Sequence, residues 1–225
     1  MGLPDHVIEI VHQVALMAIP ILAAVIFHEV AHGVMALQLG DDTAFRLGRL
    51  TLNPLPHIDP VGTIIMPAML MLAGAPIFGY ARPVPVDFGR LRNPRRDMVL
   101  VALAGPGTNL ILAALSALVL HLLLPHISRE ALQTDSWLVT GFLLPLGQMA
   151  YASVAINVGL AIFNLLPLPP LDGGRVLTGL LPYAQARLVA AIEPFGFLIL
   201  AALIMTGMIG PLVRGPTNFV MRVLL

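Results

Sequence analysis

The sequence predicts an all-α polytopic membrane protein, with about five to six transmembrane or re-entrant helices and a short membrane-associated β segment. Hydrophobic residues make up 58% of the 225 residues, and charged residues make up 11%. Soluble domains are instead about half apolar and about a quarter charged. The mean hydropathy of +0.90 supports the same class, as do several uncharged stretches of the roughly 20 residues that a spanning helix needs.

Long apolar stretches predict the membrane-spanning helices in chain order. The first covers residues 7–39, is interrupted by Pro20 and ends at Gly40. Later spans are predicted at residues 98–124, 137–166 and 188–208. The apolar tail from Gly210 is expected to form a half-span.

Two shorter segments lie between the first and second spans. Residues 46–52 alternate between polar and apolar side chains, which predicts a short β-strand. Residues 64–80 are apolar but contain Pro67, Gly74 and Pro76, so they predict either a short span or a re-entrant segment.

The arginines predict the orientation in the membrane. All basic residues are arginines, and residues 82–96 contain five of them. Because cytoplasmic loops are enriched in basic residues, this loop is expected in the cytoplasm. The next two spans would then go out and return, which places Asp172 on the cytoplasmic side. We therefore expect a multi-pass protein of the cell membrane, with its N-terminus outside and residues 64–80 entering and leaving on one face.

Composition also excludes several functions. The chain has no cysteine, which excludes a disulfide framework and thiolate chemistry. The formal net charge is zero, and the aromatic residues do not cluster with basic ones. A nucleic-acid partner is therefore not expected, whereas the lipid bilayer is.

The apolar stretch "VIFHEVAHGVMA", residues 25–36, carries three ionisable side chains. His28 and His32 are four residues apart, so they share one helical face and can bind one Zn²⁺ ion. Glu29 adjoins the first histidine and can act as general base on a water molecule. The alternative is a set of polar residues at a helix–helix contact, but burying ionisable groups in a bilayer is costly without a function.

A hydrolytic zinc site normally has a third protein ligand. The candidates are His57, Asp59 and Asp172. Asp172 follows a proline-rich stretch and precedes two glycines, where a helix opens into irregular backbone that is tolerated only in a buried or wet place. Alternatively, Asp172 caps a helix that starts at Gly173.

Four segments together resemble the site-2 protease family of intramembrane zinc metalloproteases. They are "HEVAH" at 28–32, "NPLPHIDPVGT" at 53–63, "AGPGTN" at 104–109 and "NLLPLPPLDGG" at 164–174. The segments occur in the family's order and extend from the first helix to Gly174. The resemblance implies that His28, His32 and Asp172 bind zinc and that Glu29 is the base. It also implies that Asn164 helps to hold the substrate carbonyl; the alternative is a hydrogen bond to another helix.

The resemblance further implies the activity. We expect a single membrane-embedded metalloprotease domain over residues 1–225, with a catalytic core at about 7–180 and C-terminal helices at 183–225. It would hydrolyse peptide bonds within or near the transmembrane helices of single-span membrane proteins. The substrate would unwind and pair as a strand with residues 47–52. The alternatives are a zinc-binding membrane transporter and a catalytically silent scaffold that binds helices. Roles for His57, Asn109 and Glu193 stay open.

Overall fold

The computed structural model describes residues 5–74, 79–127 and 137–225, and this part of the chain is helical without any strand. The α-helices are α1 (Asp5–Gln38), α2 (Thr43–Arg46), α3 (Met66–Leu72), α4 (Pro94–Leu123), α5 (Leu144–Asn164), α6 (Asp172–Leu180), α7 (Tyr183–Ile192), α8 (Gly196–Met205) and α9 (Ile209–Leu224). The π-helical segments Pro60–Ile65 and Val139–Leu143 lead into α3 and α5.

Four helical stretches of the described residues are long and apolar enough to cross a membrane. They are His12–Gln38, Pro94–His126, Val139–Asn164 and Tyr183–Met205. The shortest has 23 residues, which at about 1.5 Å per residue matches a hydrocarbon core of about 30 Å. The prediction of an all-helical, multi-pass membrane protein is thereby confirmed, whereas the count of five to six is not.

The centre of the bundle is α4, which packs against α1, α5 and α6. Small side chains permit the close approach of α4 and α5, because Ala113 and Ala117 meet Val154 and Val158 in a fully buried layer. The C-terminal helix α9 packs against the same layer. The predicted half-span is therefore a 16-residue helix that covers the core.

The segment before α6 folds tightly onto the start of that helix. A Cβ atom added to Gly173 would overlap the backbone oxygens of Leu165 and Leu166, and one added to Gly174 would lie 2.6 Å from the backbone nitrogen of Pro169. Two residues without side chains therefore allow α6 to begin inside the bundle, against α4. This packing carries Asp172 to the face of α1.

The predicted β segment at residues 46–52 is not confirmed. Arg46 ends α2, and Gly48 has a positive φ of 63°, which interrupts an extended backbone. The segment is held instead by a side chain, because the Arg49 guanidinium donates hydrogen bonds to the carbonyl oxygens of Arg82 and Pro83. The alternating pattern was too short to specify a paired strand.

The apolar helical segment Pro60–Leu72 has 13 residues, fewer than the roughly 20 that a spanning helix needs. The first residues of this segment are hydrogen-bonded to Tyr80, which follows the segment in the chain. The Tyr80 N–H donates to the Gly62 carbonyl oxygen (3.1 Å), and Thr63 Oγ1 donates to the Tyr80 carbonyl oxygen (2.9 Å). Tyr80 therefore lies beside the start of the predicted segment 64–80, of which residues 75–78 lie outside the described part of the chain, and its re-entrant course remains a prediction.

Candidate metal centre

Two helices bring the imidazoles and one carboxylate together. His28 and His32 lie on one face of α1, with exposed fractions of 6% and 8% and with their Nε2 atoms 3.0 Å apart. Asp172 enters from the first turn of α6, and its Oδ2 atom lies 3.2 Å from the His28 Nε2 and 3.3 Å from the His32 Nε2. The side chain of Asp172 does not cap α6.

Hydrogen bonds at the other ring nitrogen indicate the tautomer of each histidine. The His28 Nδ1–H donates to Asn109 Oδ1 (2.6 Å), and the His32 Nδ1–H donates to the carbonyl oxygen of Val101 (2.7 Å). A neutral imidazole carries one proton, so each Nε2 atom has a free lone pair. Oδ2 of Asp172 is buried without a hydrogen-bond donor.

Three lone pairs therefore face one another at distances of 3.0, 3.2 and 3.3 Å. A tetrahedral zinc ion with bonds of about 2.0–2.1 Å separates its ligand atoms by about 3.3 Å. A proton on one imidazole would satisfy one pair of these atoms, whereas a metal ion satisfies all three. The donor set of two imidazoles and one carboxylate is that of a hydrolytic zinc site, so these residues fit zinc.

Glycine makes room for the imidazoles on α4. A Cβ atom added to Gly105 would overlap the His32 Nε2 and lie 2.7 Å from the His28 Cε1. One turn further along α4, Asn109 reaches the His28 ring. The motif "AGPGTN" thus contributes both the space and a hydrogen-bond acceptor.

Glu29 points to the proline-punctuated loop that precedes α4. Its Oε2 atom accepts the N–H of Val84 (2.8 Å), while Oε1 has no protein partner among the described residues. Arg49 holds the same loop through the two preceding carbonyl groups. One carboxylate oxygen is thereby fixed, and the other stays available to accept a proton.

The other two third-ligand candidates have structural contacts instead. His57 is buried and donates its Nε2–H to the Thr51 carbonyl oxygen (2.9 Å). Asp59 caps the segment Pro60–Ile65, because its Oδ1 atom accepts the N–H groups of Val61 and Gly62. Neither belongs to the group of metal-binding atoms found in the described residues.

Asn164 lies at the C-terminal end of α5. Its Nδ2 donates to the Leu160 carbonyl oxygen (3.0 Å) within the same helix, and no described contact joins it to the metal centre. Its role as a substrate-binding residue remains a prediction. Asn109 was the residue underestimated at the sequence level, although its i, i+4 spacing from Gly105 could have indicated a shared helix face.

Similarity to known proteins agrees with this centre. Residues 141–207 match peptidase family M50. Over 190 residues the chain is 38% identical to "Putative zinc metalloprotease YwhC" of Bacillus subtilis. This alignment covers 84% of this chain and 80% of that protein. The chain belongs to peptidase family M50. The predicted resemblance to the site-2 proteases, a family of zinc-dependent membrane proteases, is thereby confirmed.

More distant M50 relatives carry the same description under the name Rip2. The identity is 30% for the protein of Mycolicibacterium smegmatis and 30% for that of Mycobacterium tuberculosis strain H37Rv. The alignments cover 82% and 81% of this chain but 64% and 63% of those proteins, just under two thirds of their length. No solved structure matches the chain. A zinc transporter or a silent scaffold is not favoured by these relatives.

Proposed function

We propose that His28, His32 and Asp172 bind the catalytic zinc ion of this intramembrane M50 protease. The observation that carries the assignment is the convergence of three buried lone pairs from α1 and α6, with both imidazoles held by hydrogen bonds at Nδ1. Such an arrangement is repulsive by itself and becomes favourable around a divalent cation. Zinc bound there would polarise the scissile carbonyl and acidify water to a pKa of about 7.

Glu29 then serves as the general base. Its free Oε1 accepts a proton from the attacking water, the water oxygen bonds to the carbonyl carbon, and the proton passes to the amine nitrogen when the C–N bond breaks. The Val84 N–H keeps the carboxylate in one orientation during both transfers. Asn164 would hold the substrate carbonyl, for which its amide would leave the Leu160 oxygen.

The substrate we propose is the transmembrane helix of a single-span membrane protein. A helical peptide bond is protected by its own hydrogen bonds, so the substrate must unwind before cleavage. The backbone N–H groups of Leu50, Thr51 and Leu52 have no partner among the described residues. An extended substrate could pair with them, even though this segment is not itself a paired strand.

The arginine-rich loop supports a finer localisation. We propose that the protein lies in the cell membrane and that its catalytic site faces the cytoplasmic side, because Arg90, Arg92, Arg95 and Arg96 are exposed around the start of α4. One membrane-embedded domain over residues 1–225 carries the site. Contacts of Leu171 with Leu200 and Ile209 support the inclusion of the C-terminal helices.

The variant Glu29→Gln tests the mechanism. Glutamine nearly preserves the shape and can still accept the Val84 N–H, so zinc content and folding should persist. It cannot accept the water proton, and cleavage of a model single-span substrate should fall by about 10²- to 10⁴-fold. The measurement is zinc content by mass spectrometry together with cleavage of the substrate in liposomes. Cleavage at the wild-type rate would reject the role of Glu29.

Cysteine labelling tests the orientation, since the chain has no native cysteine. Thr63→Cys and Arg82→Cys flank the re-entrant segment and should react with a membrane-impermeant maleimide from the same, cytoplasmic side. Labelling from opposite sides would mean that residues 64–80 cross the bilayer and would overturn the proposed topology.

A further inference from the structure

Hydrogen bonds continue from His28 into the interior of the bundle. Asn109 donates its Nδ2–H groups to the Ala24 carbonyl oxygen (3.0 Å) and to Asn157 Oδ1 (2.8 Å). Asn157 in turn donates to the carbonyl oxygen of Ser153 (2.9 Å). Asn109 and Asn157 are 0% and 1% exposed, so no solvent can replace any of these bonds.

The direction of each bond in this series is fixed by a backbone acceptor. A carbonyl oxygen only accepts, so the Ser153 carbonyl selects the amino end of Asn157 and turns Oδ1 towards Asn109. The Ala24 carbonyl likewise selects the amino end of Asn109. Oδ1 of Asn109 is therefore left to face the His28 Nδ1 atom.

We infer that Asn109 and Asn157 are positioning residues that select the metal-binding tautomer of His28, an inference that rests on the proposed zinc site. An acceptor at the Nδ1 atom keeps the proton there and presents the Nε2 lone pair to Asp172 and His32. A reversed Asn109 amide would present an N–H group to Nδ1, move the ring proton to Nε2 and block the lone pair that binds the metal.

The two histidines differ in the group that fixes their metal-binding tautomer. His32 donates to the Val101 carbonyl, a backbone group that cannot reverse its polarity. His28 relies on a side-chain amide, whose two ends can exchange, and two acceptors, the Ala24 carbonyl oxygen and Asn157 Oδ1, together hold the amino end of that amide away from the ring. The second buried asparagine, Asn157, thus reinforces the orientation of Asn109 in addition to joining α4 to α5.

The test is a zinc-affinity titration against a competing chelator, with Co²⁺ absorption as a second readout. Full-length wild type, Asn109→Leu, Asn109→Asp and Asn157→Leu are compared in detergent. Asn109→Leu removes the acceptor and should weaken zinc binding by about 10- to 100-fold. Asn157→Leu should have a smaller effect, since the Ala24 carbonyl still orients Asn109.

Asn109→Asp separates positioning from simple stabilisation of the bundle. Aspartate still accepts the His28 Nδ1–H but loses both amide donations, so the thermal unfolding temperature should fall while zinc affinity stays within a few-fold of wild type. Ser116→Ala is the matched control. It removes an interhelical contact with Ser153 Oγ at the same α4–α5 interface (2.8 Å) but leaves both the carbonyl and the hydroxyl oxygen of Ser153 that accept from Asn157 Nδ2, so zinc affinity should not change.

The outcomes separate this inference from the zinc site itself. If wild type binds zinc, His28→Ala does not, and Asn109→Leu binds like wild type, the inference is overturned while the site stands. Equal losses of zinc by Asn109→Asp and Asn109→Leu would likewise overturn it, because stabilisation alone would then explain both. Should Asn109→Leu fail to fold, Asn109→Asp and Asn157→Leu decide the question. A wild-type protein without zinc affinity would overturn the site and this inference together.

Discussion

Two buried aspartates, Asp41 and Asp172, show that a buried carboxylate can serve either the fold or a proposed metal centre. Asp41 follows α1, is 1% exposed and has donors at both oxygens. Oδ1 accepts the N–H and the hydroxyl of Thr43, and Oδ2 accepts the N–H of Asp87 (2.7 Å). This carboxylate ties the end of the helix to the loop before α4.

Asp172 is buried to a similar degree, at 6% exposure, but its Oδ2 atom meets two imidazole nitrogens and no donor. Burial of a charged group costs several kcal/mol unless it is paired. At Asp41 hydrogen-bond donors from neighbouring residues offset this cost, and at Asp172 the proposed zinc ion would do so. Burial alone therefore does not identify a functional carboxylate, whereas the character of the atoms around it does.

The largest effect is expected at the imidazoles that face Asp172. His28→Ala or His32→Ala removes one of the three proposed ligands and should abolish most zinc binding in protein that still folds in detergent. His12→Ala is the control, because His12 lies on an exposed part of the same helix. Metal analysis of the purified proteins measures the difference. Stoichiometric zinc in the His28/His32 double variant would remove the distinction between the two aspartates.

A second, smaller effect tests the space around the centre. Gly105→Ala would place a methyl group against both imidazoles, and overpacking of this kind costs about 1–3 kcal/mol. We expect a lower unfolding temperature and weaker zinc binding. Gly107→Ala, two residues later, meets no atom within 4 Å and should be neutral or slightly stabilising, because alanine favours a helix by up to about 1 kcal/mol.

The same substitution at two positions of one helix is thus expected to lower the unfolding temperature at Gly105 and to leave it unchanged or slightly raised at Gly107. Similar zinc affinities and unfolding temperatures for both would show that the imidazoles move aside at little cost, and that their positions are not fixed by α4.

Much of the site could be predicted from the sequence, because local geometry determines it. The i, i+4 spacing places His28 and His32 on one face in any helix, and hydrophobic length alone gave the main spans. Prolines and glycines around Asp172 predicted irregular backbone in an apolar stretch, and the resemblance to the site-2 proteases implied its role as the third ligand. The structure brings these three residues together.

Features that depend on long-range contacts were not accessible in the same way. The hydrogen bond of Asn109 with His28 joins residues 81 positions apart. The i, i+4 spacing in α4 places Asn109 on the face of Gly105 but does not specify which helix that face meets. The predicted strand failed for the complementary reason. Its alternation was local, but a strand also needs a partner, and Arg49 forms contacts with the neighbouring loop that replace one.

The smallest effect is expected at the structural aspartate. Burial alone would raise the pKa of Asp41, but hydrogen bonds from Thr43 and the Asp87 N–H, with the nearby Arg90 charge, lower the pKa below its ordinary value. A lowered pKa stabilises the fold above the unfolded-state value of about 3.9, and this stabilisation is lost as the pH falls towards the folded-state pKa. Asp41→Asn should therefore lower the unfolding temperature at pH 7 by about 2–4 °C, and the gap to wild type should narrow below about pH 4. Thermal unfolding with a chelator present removes the metal centre as a variable. A gap that widens on acidification would contradict the structural role, and loss of zinc from Asp41→Asn at pH 7 would show that the two carboxylates are not independent.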